Sequence, residues 1–384
     1  MRPVTPAPRR AAAVAAALSL VVALAACADD AGVSVDPDPD KPFVLEGVSN
    51  LTEIAQLTGP DAMNDTAAVS VAGTDLGSMV NVGDKTLFLF GDTFGERDPE
   101  SIGGQGGFWR SNVAAWTSDD DPRDGITFDG WVEDDIGLAA ALIEGDHDAN
   151  GAGGEVTKIP TYGFTVGDTI YVAYMSVRFW GAAGAWDANH AALIASRDGG
   201  ETWDRVDDVA WPGDSGFVQV ATVQVAEGGD DWIYFWTIPA GRFGGVQLMR
   251  VRAAEEAVED PSAYSYFAGV EGEEPQWSAE MADAETIVQG TIGELSVMWS
   301  TYLERWVMTY SDAGSAYIRE GITPWGPWGE PHELVSGAEY PGLYSPYLNP
   351  RYVTEDGRRI HFTLSLWGPY NVFWFSADLE RVGG

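Results

Sequence analysis

Past residue 42 the chain alternates short apolar runs with clusters of Gly, Asp and Pro, and a helical period is almost absent. Runs at 86–90, 112–117, 169–176, 191–196, 218–225, 232–238, 246–251, 295–300, 306–310, 316–319, 360–366 and 370–375 are rich in β-branched and aromatic residues. Runs of this length bounded by turn residues read as strands, and many in succession read as a sandwich, barrel or propeller. Roughly 340 folded residues is large for one sandwich, whereas propellers repeat about every 40–50 residues. The expected fold is therefore all-β, with a propeller as the preferred architecture.

One pair of strands carries candidate chemistry. Asp75 stands in Ala-Gly-Thr-Asp-Leu-Gly and Asp92 in Phe-Gly-Asp-Thr-Phe, with strands read at 71–79 and 86–90 between and beside them. A hairpin with Gly83-Asp84 at its tip would set Asp75 directly opposite Asp92, with Cβ atoms about 4.5–5.5 Å apart. Like charges so placed destabilise a hairpin, and paired carboxylates are what glycoside hydrolysis uses. The competing reading is ordinary turn chemistry in a chain with 59 acidic residues, and a one-residue bulge would separate the two side chains.

Ser196-Arg-Asp-Gly-Gly-Glu-Thr-Trp203 fits Ser-x-Asp-x-Gly-x-x-Trp, which resembles the Asp-box between outer strands of sialidase-like propeller blades. The resemblance implies that Asp198 bonds backbone amides, that Gly200 takes an unusual φ and that Trp203 packs inward. Thr117-Ser-Asp-Asp-Asp-Pro and Ser311-Asp-Ala-Gly are weaker echoes.

The N-terminus reads as an export signal: Arg2, Arg9 and Arg10 precede a small-residue apolar run at 11–26. Leu24-Ala25-Ala26-Cys27 resembles the lipobox of bacterial lipoproteins, which implies lipidation at Cys27, the chain's one cysteine. With no second cysteine there is neither a disulfide framework nor a thiolate metal site. Residues 29–41 are acidic and carry Pro, and read as a disordered tether. The domain plan is thus 1–26 signal peptide, 27–42 lipidated Cys and tether, and 43–384 propeller. A formal net charge of −38 disfavours nucleic acid and anionic lipid heads as partners. It leaves neutral sugars well suited, and 16 Trp, 14 Tyr and 15 Phe offer faces on which sugar rings stack.

Several motifs come in one order: Gly73-Thr-Asp-Leu-Gly77, Phe90-Gly-Asp-Thr-Phe94, Pro160-Thr-Tyr-Gly163, Tyr171-Val-Ala-Tyr-Met-Ser-Val177, the Asp-box after Trp186, and Gly241-Arg242. Gly293-Glu-Leu-Ser-Val297, Arg305-Trp-Val-Met-Thr-Tyr310 and Pro324-Trp-Gly-Pro-Trp328 follow. From about residue 45 to the end, this order resembles the bacterial domain-of-unknown-function family recognised as endo-D-arabinanases, glycoside hydrolase family 183. The resemblance implies a five-bladed β-propeller that cuts internal α-D-arabinofuranosyl linkages of mycobacterial-type arabinogalactan and lipoarabinomannan. It implies Asp75 and Asp92 as the catalytic pair. Which of the two is acid and which base or nucleophile stays open; the apolar strand 87–90 behind Asp92 favours it as proton donor, and the polar setting of Asp75 favours base or nucleophile.

Supporting residues follow. Glu294 is a candidate third carboxylate at the channel mouth, or else an exposed turn acid. Arg242 either bonds sugar hydroxyls or holds a carboxylate, and Asn112 either reaches the channel or caps a turn. Trp180, Trp186, Tyr344 and Trp367 are candidate sugar platforms, with packing as the alternative; His190 and His361 read as core hydrogen-bonding residues. No cofactor is implied. Glu144-Gly-Asp-His-Asp-Ala-Asn-Gly151 resembles an EF-hand loop only loosely and lacks its closing Glu where structural calcium would need it.

The resulting expectation is a monomeric, lipid-anchored glycosidase on the outer face of the cytoplasmic membrane, with D-arabinan as its polysaccharide partner. Two alternatives stay open. One is a non-catalytic glycan-binding propeller lipoprotein. The other is another propeller glycosidase acting on L-arabinan or fructan; a sialidase, which needs an arginine cluster for its substrate's carboxylate, is disfavoured by only 18 Lys plus Arg after the expected signal, 21 less Arg2, Arg9 and Arg10.

Overall fold

The computed structural model describes residue 1, residues 33–34 and residues 40–383. The expected signal peptide, Cys27 and most of the tether lie outside the described residues. Five antiparallel sheets surround one axis and form a five-bladed β-propeller. Blade I contains Leu76–Val82, Lys85–Phe90, Val113–Thr117 and Gly130–Trp131, and blade II contains Thr157–Val166, Thr169–Trp180, Trp186–Ser196 and Asp204–Pro212. Blade III is Gln219–Glu227, Asp230–Ile238, Gln247–Arg252 and Ser265–Glu271, with Glu274–Ser278 at its edge. Blade IV is Leu295–Ser300, Arg305–Asp312, Ser315–Gly321 and His332–Val335. Blade V takes Leu343–Thr354, Arg359–Leu366 and Asn371–Arg381 from the C-terminal end of the chain and Leu45–Gln56 from near its start.

The first strand of each blade lines the axis and neighbours the first strands of the two adjacent blades. Second strands are covered on both faces, which explains continuous apolar runs such as Lys85–Phe90, buried throughout except at Lys85. Aromatic pairs fill the seams: Phe164 meets Phe235 between blades II and III at 5.4 Å. Trp236 meets Trp306 between III and IV at 5.5 Å, and Phe88 meets Trp374 between I and V at 6.3 Å. The Trp236 and Trp374 indoles are fully buried, so each N–H needs an acceptor; they donate to the carbonyls of Pro324 and Pro122. Below the mouth, the Tyr162 hydroxyl bonds Ser296 Oγ and the Leu348 carbonyl, linking blades II, IV and V across the axis.

The Asp-box forms the outer hairpin of blade II. Asp198 Oδ1 accepts from Ser196 Oγ and from the amides of Glu201 and Thr202, and Gly200 has φ +94°. Trp203 packs into the cluster between blades I and II. The echo at residues 117–119 occupies the equivalent hairpin of blade I, where Asp119 accepts from the amides of Asp121 and Thr127. The echo at 311–314 instead joins the second and third strands of blade IV.

Leu45–Gln56 pairs antiparallel with Asn371–Arg381, so the ring is closed by a sheet shared between the two ends of the folded region. Glu320 of blade IV, buried with Arg305, reinforces the closure. Its Oε1 accepts from the amides of Val44 and Leu45 at 2.7 and 2.6 Å, while Arg305 donates to the Pro42 carbonyl at 2.7 Å. Within the stretch expected to be disordered, Val33–Ser34 pairs in parallel with Val225 and Ala226 of blade III.

Removing one partner of a buried ion pair strands the other charge and costs about 3–5 kcal/mol. Glu320→Ala is therefore expected to destabilise the protein by about that much in chemical unfolding, and Glu320→Gln by less, because the amide oxygen still accepts from Val44 and Leu45. A loss below about 1 kcal/mol for Glu320→Ala would remove this carboxylate from the closure.

Candidate active site

All five inner strands start at the same face of the ring, and the second strands return to it. Asp75 therefore precedes the inner strand of blade I, Glu294 that of blade IV, and Thr157 and Tyr344 open those of blades II and V. Asp92, Arg242 and Trp367 follow the second strands of blades I, III and V. This alternation converges residues far apart in sequence on one mouth.

The hairpin of blade I has the expected tip, with Val82 paired to Lys85 around Gly83-Asp84. Its first strand is Leu76–Val82 rather than 71–79. The register holds from Val82 to Ser78 and then shifts by one: Leu76, not Gly77, lies opposite Phe90. Leu76 at φ 70° and Gly77 at φ 89° form this bulge. Asp75 therefore does not sit opposite Asp92. It pairs with Gly91, whose amide donates to the Asp75 carbonyl at 3.1 Å. A side chain at Gly91 would meet Asp75 Oδ1 at 2.3 Å, so glycine is required for the carboxylate to lie there. Asp92 still feels the charge of Asp75.

Asp92 is 8% exposed. Its Oδ1 accepts from the Trp109 indole N–H at 2.7 Å and from Thr157 Oγ1 at 2.5 Å. Trp109 belongs to a small hairpin, Thr93–Glu96 with Gly107–Arg110, inserted after the second strand of blade I. The His147 ring lies flat on its indole at 4.0 Å, held by Ser111 Oγ and Glu144. Burial pushes Asp92 up to about 8, against the pull of the Thr157 and Trp109 donors and helped by the charges of Asp75 and Glu144.

Asp75 is half-buried, and its Oδ2 accepts from the Tyr344 hydroxyl at 2.8 Å. Burial raises it to about 7; Tyr344 and Tyr370 hydroxyls oppose the shift and nearby Glu294 adds to it. Glu294 is buried and gripped by Arg242, whose Nη2 donates to Oε1 at 2.8 Å and Nε to Oε2 at 3.2 Å. The guanidinium lies 5.8 Å from the ring centres of both Trp186 and Tyr344. Glu294 is thus a third mouth carboxylate, charge-balanced by the residue that sequence reading left between sugar contact and carboxylate partner.

The remaining expectations divide. Tyr344 binds Asp75 directly. Trp186 is buried behind Arg242 and donates to Met175 Sδ, with half-buried Trp180 at 5.7 Å, while Trp367 is exposed. Asn112 is a correction: it is 1% exposed and spends its side chain on the carbonyls of Ile143 and Lys158 and the amides of Leu142 and Ile143. It ties blade I to blade II and has nothing left for a ligand. His361 bonds the Tyr352 carbonyl in the core, whereas His190 Nε2 is buried without a partner. In the loop resembling an EF-hand, Glu144 and His147 bond each other, and among the described residues no three His, Cys, Asp or Glu side chains converge as a metal site. Sequence reading missed Trp109, Thr157, Tyr370 and His147. Nothing local marks a threonine, an indole or a tyrosine as a carboxylate's partner.

A raised carboxyl has a stability signature. Native Asp92 keeps its proton between the ordinary value of 3.8 and about 8, where the unfolded chain releases it. The site's contribution is therefore present at low pH and lost as pH rises through that window, by up to about 1.4 kcal/mol per unit. Asp92→Asn, which keeps an acceptor for Trp109 and Thr157, is expected to gain on wild type by more than about 1 kcal/mol between pH 5 and pH 8. A pH-independent difference in chemical unfolding would show that Asp92 does not hold a proton there.

No curated protein sequence matches the chain. Among solved structures it is similar to a provisionally assigned hydrolase from Bacteroides ovatus, at 12% identity and TM-score 0.53, covering 81% of this chain and 86% of that one. It is also similar to an exo-β-1,3-galactanase from Phanerochaete chrysosporium bound to galactose, at 8% identity and TM-score 0.50, over 87% and 67% of the two chains. The catalytic domain of a Coprinopsis cinerea GH62 α-L-arabinofuranosidase shares 9% identity at TM-score 0.46, over 86% and 97%. At such identities the likeness is one of fold. Residues 61–376 match the family described as Domain of unknown function (DUF4185), and the chain belongs to that family.

Proposed function

We propose that this propeller is a glycosidase that cuts internal α-D-arabinofuranosyl linkages of D-arabinan, with Asp92 as acid and Asp75 as base or nucleophile. The observation that carries the reading is a pair of carboxyls at the mouth, each held by its own hydroxyl or indole donors. Both donors to Asp92 bind one oxygen, Oδ1, which leaves Oδ2 to carry the proton. As the bond from the anomeric carbon to the leaving oxygen breaks, that proton passes to the leaving oxygen. Asp75, whose ionised form Tyr344 and Tyr370 favour, either takes the proton of a water whose oxygen bonds the anomeric carbon, or bonds that carbon itself until a water, deprotonated by Asp92, displaces it. Glu294, neutralised by Arg242, is left to accept from a sugar hydroxyl beside Asp75. The choice of D-arabinan rests on the resemblance of the ordered motifs, and the acidic chain suits an uncharged polymer.

The topology also suits a tethered enzyme. Leu45 pairs with Arg381, at the end of a strand that starts at the mouth, so Leu45–Gln56 begins on the opposite face. Val33–Ser34 pairs near the far end of the inner strand of blade III. A lipid on Cys27 would hold that far face to the membrane and turn the mouth outward, toward wall polysaccharide.

Wild-type protein incubated with D-arabinan is expected to release oligosaccharides, with L-arabinan spared. Asp92→Asn and Asp75→Asn should each lower kcat by about 10²–10⁴. Full activity in both variants would dismiss the site, and retention of the polymer without products by wild type would make the protein a binding module.

The two raised carboxyls predict a bell-shaped kcat/KM profile, its acid limb from Asp75 near 7 and its alkaline limb from Asp92 near 8. Tyr344→Phe removes a donor to ionised Asp75, so the acid limb should move to higher pH while the alkaline limb stays. An acid limb that does not move in Tyr344→Phe would detach Asp75 from it.

A further inference from the structure

The exposed Phe and Trp side chains among the described residues are not scattered. Of the five exposed Phe and Trp side chains among the described residues, four stand at the mouth: Phe108, Phe179, Phe243 and Trp367, at 45, 40, 64 and 50% exposure. Each ends or follows the second strand of a different blade, I, II, III and V respectively. Single exposed apolar residues need no explanation, but a set confined to one rim does.

These rings are braced. A methyl group built on Gly95, Gly103 or Gly241 would meet the ring of Phe108, Trp367 or Phe243 at 2.6, 2.4 and 2.4 Å. Three rings thus pack against bare backbone, which holds them in place. The Arg110 guanidinium covers Phe108 at 4.3 Å, and Tyr370, a neighbour of Asp75, meets Trp367 edge-on at 5.7 Å. Blade IV differs: its corresponding connection is the short turn at residues 313–314, which carries no large apolar side chain.

We propose that Phe108, Phe179, Phe243 and Trp367 form a stacking rim for an extended, uncharged polysaccharide chain, which crosses the carboxylates and leaves over the low turn of blade IV. The inference rests on the glycosidase reading and adds how the polymer is held. Aromatic faces pack against the C–H faces of sugar rings while the hydroxyls stay in water, so partly exposed, fixed rings suit this ligand. A chain of net charge −38 repels anionic lipid headgroups, which argues against the same rim as a membrane-inserting surface. A rim open at one side also lets a chain run through, as cleavage of internal linkages requires.

The test uses Asp92→Asn protein, with and without Phe243→Ala plus Trp367→Ala, run through native gels containing D-arabinan; thermal unfolding checks that the variants fold. The rim predicts retardation by the polymer that weakens at least about tenfold when the two rings are removed. In the otherwise wild-type enzyme the same double change should raise KM for polymer by a similar factor and alter kcat less than about twofold. Retardation equal with and without the rings, or none at all, overturns the rim. So does loss of binding to phosphatidylglycerol vesicles in place of loss of binding to glycan. Ring-dependent retardation in a protein whose wild type cleaves nothing leaves the rim standing and removes the glycosidase reading. Cleavage with ring-independent retardation does the reverse.

Discussion

Everything at the mouth depends on closing the ring. Asp75 comes from blade I, yet its hydroxyl donor Tyr344 comes from blade V and its charged neighbour Glu294 from blade IV. Asp92 is held by Thr157 of blade II. No blade alone could desolvate either acid. The shared sheet of Leu45–Gln56 with Asn371–Arg381, tied to blade IV through Glu320, brings blade V against blade I. Cooperative packing of a closed ring is therefore the source of the electrostatics, and the buried aromatic seams supply its rigidity.

Within that frame the acids are differentiated by their partners. Near-complete burial leaves Asp92 as the group that keeps its proton, against the pull of the two donors on its Oδ1. The Tyr344 and Tyr370 hydroxyls favour ionised Asp75 against the effect of its burial. Glu294 adds negative charge beside Asp75 while Arg242 keeps the site from becoming three unbalanced carboxylates. The left-handed backbone at Leu76 stores local strain of about 1–3 kcal/mol, while Gly77 takes its positive φ freely. The bulge delivers Asp75 over Gly91 instead of directly against Asp92, which spares the hairpin a like-charge cross-strand pair.

The strand pattern and the Asp-box at Ser196–Trp203 made an all-β propeller legible, because alternation and turn chemistry are local properties. The tip at Gly83-Asp84 was legible for the same reason. The bulge at Gly77 was not: glycine in a strand permits a bulge without requiring one, and the register is fixed by contacts with Ser365 and Thr363 of blade V. Glu294 and Arg242 were each visible as candidates, but their pairing spans 52 residues and two blades. Asn112 shows the converse, since a polar residue before a buried strand looks the same in sequence whether it faces a channel or ties two loops together. Trp109, Thr157 and Tyr370 acquire their roles only through tertiary placement.

The central claim is that Asp92 carries a proton at neutral pH while remaining hydrogen-bonded through Oδ1. Infrared difference spectroscopy between wild type and Asp92→Asn reads this directly, because a protonated carboxyl and a carboxylate absorb in separate bands. The account predicts a protonated carboxyl band at pH 7 that is missing in the variant and fades as pH rises through about 8. A spectrum in which Asp92 is fully ionised at pH 7 would contradict it.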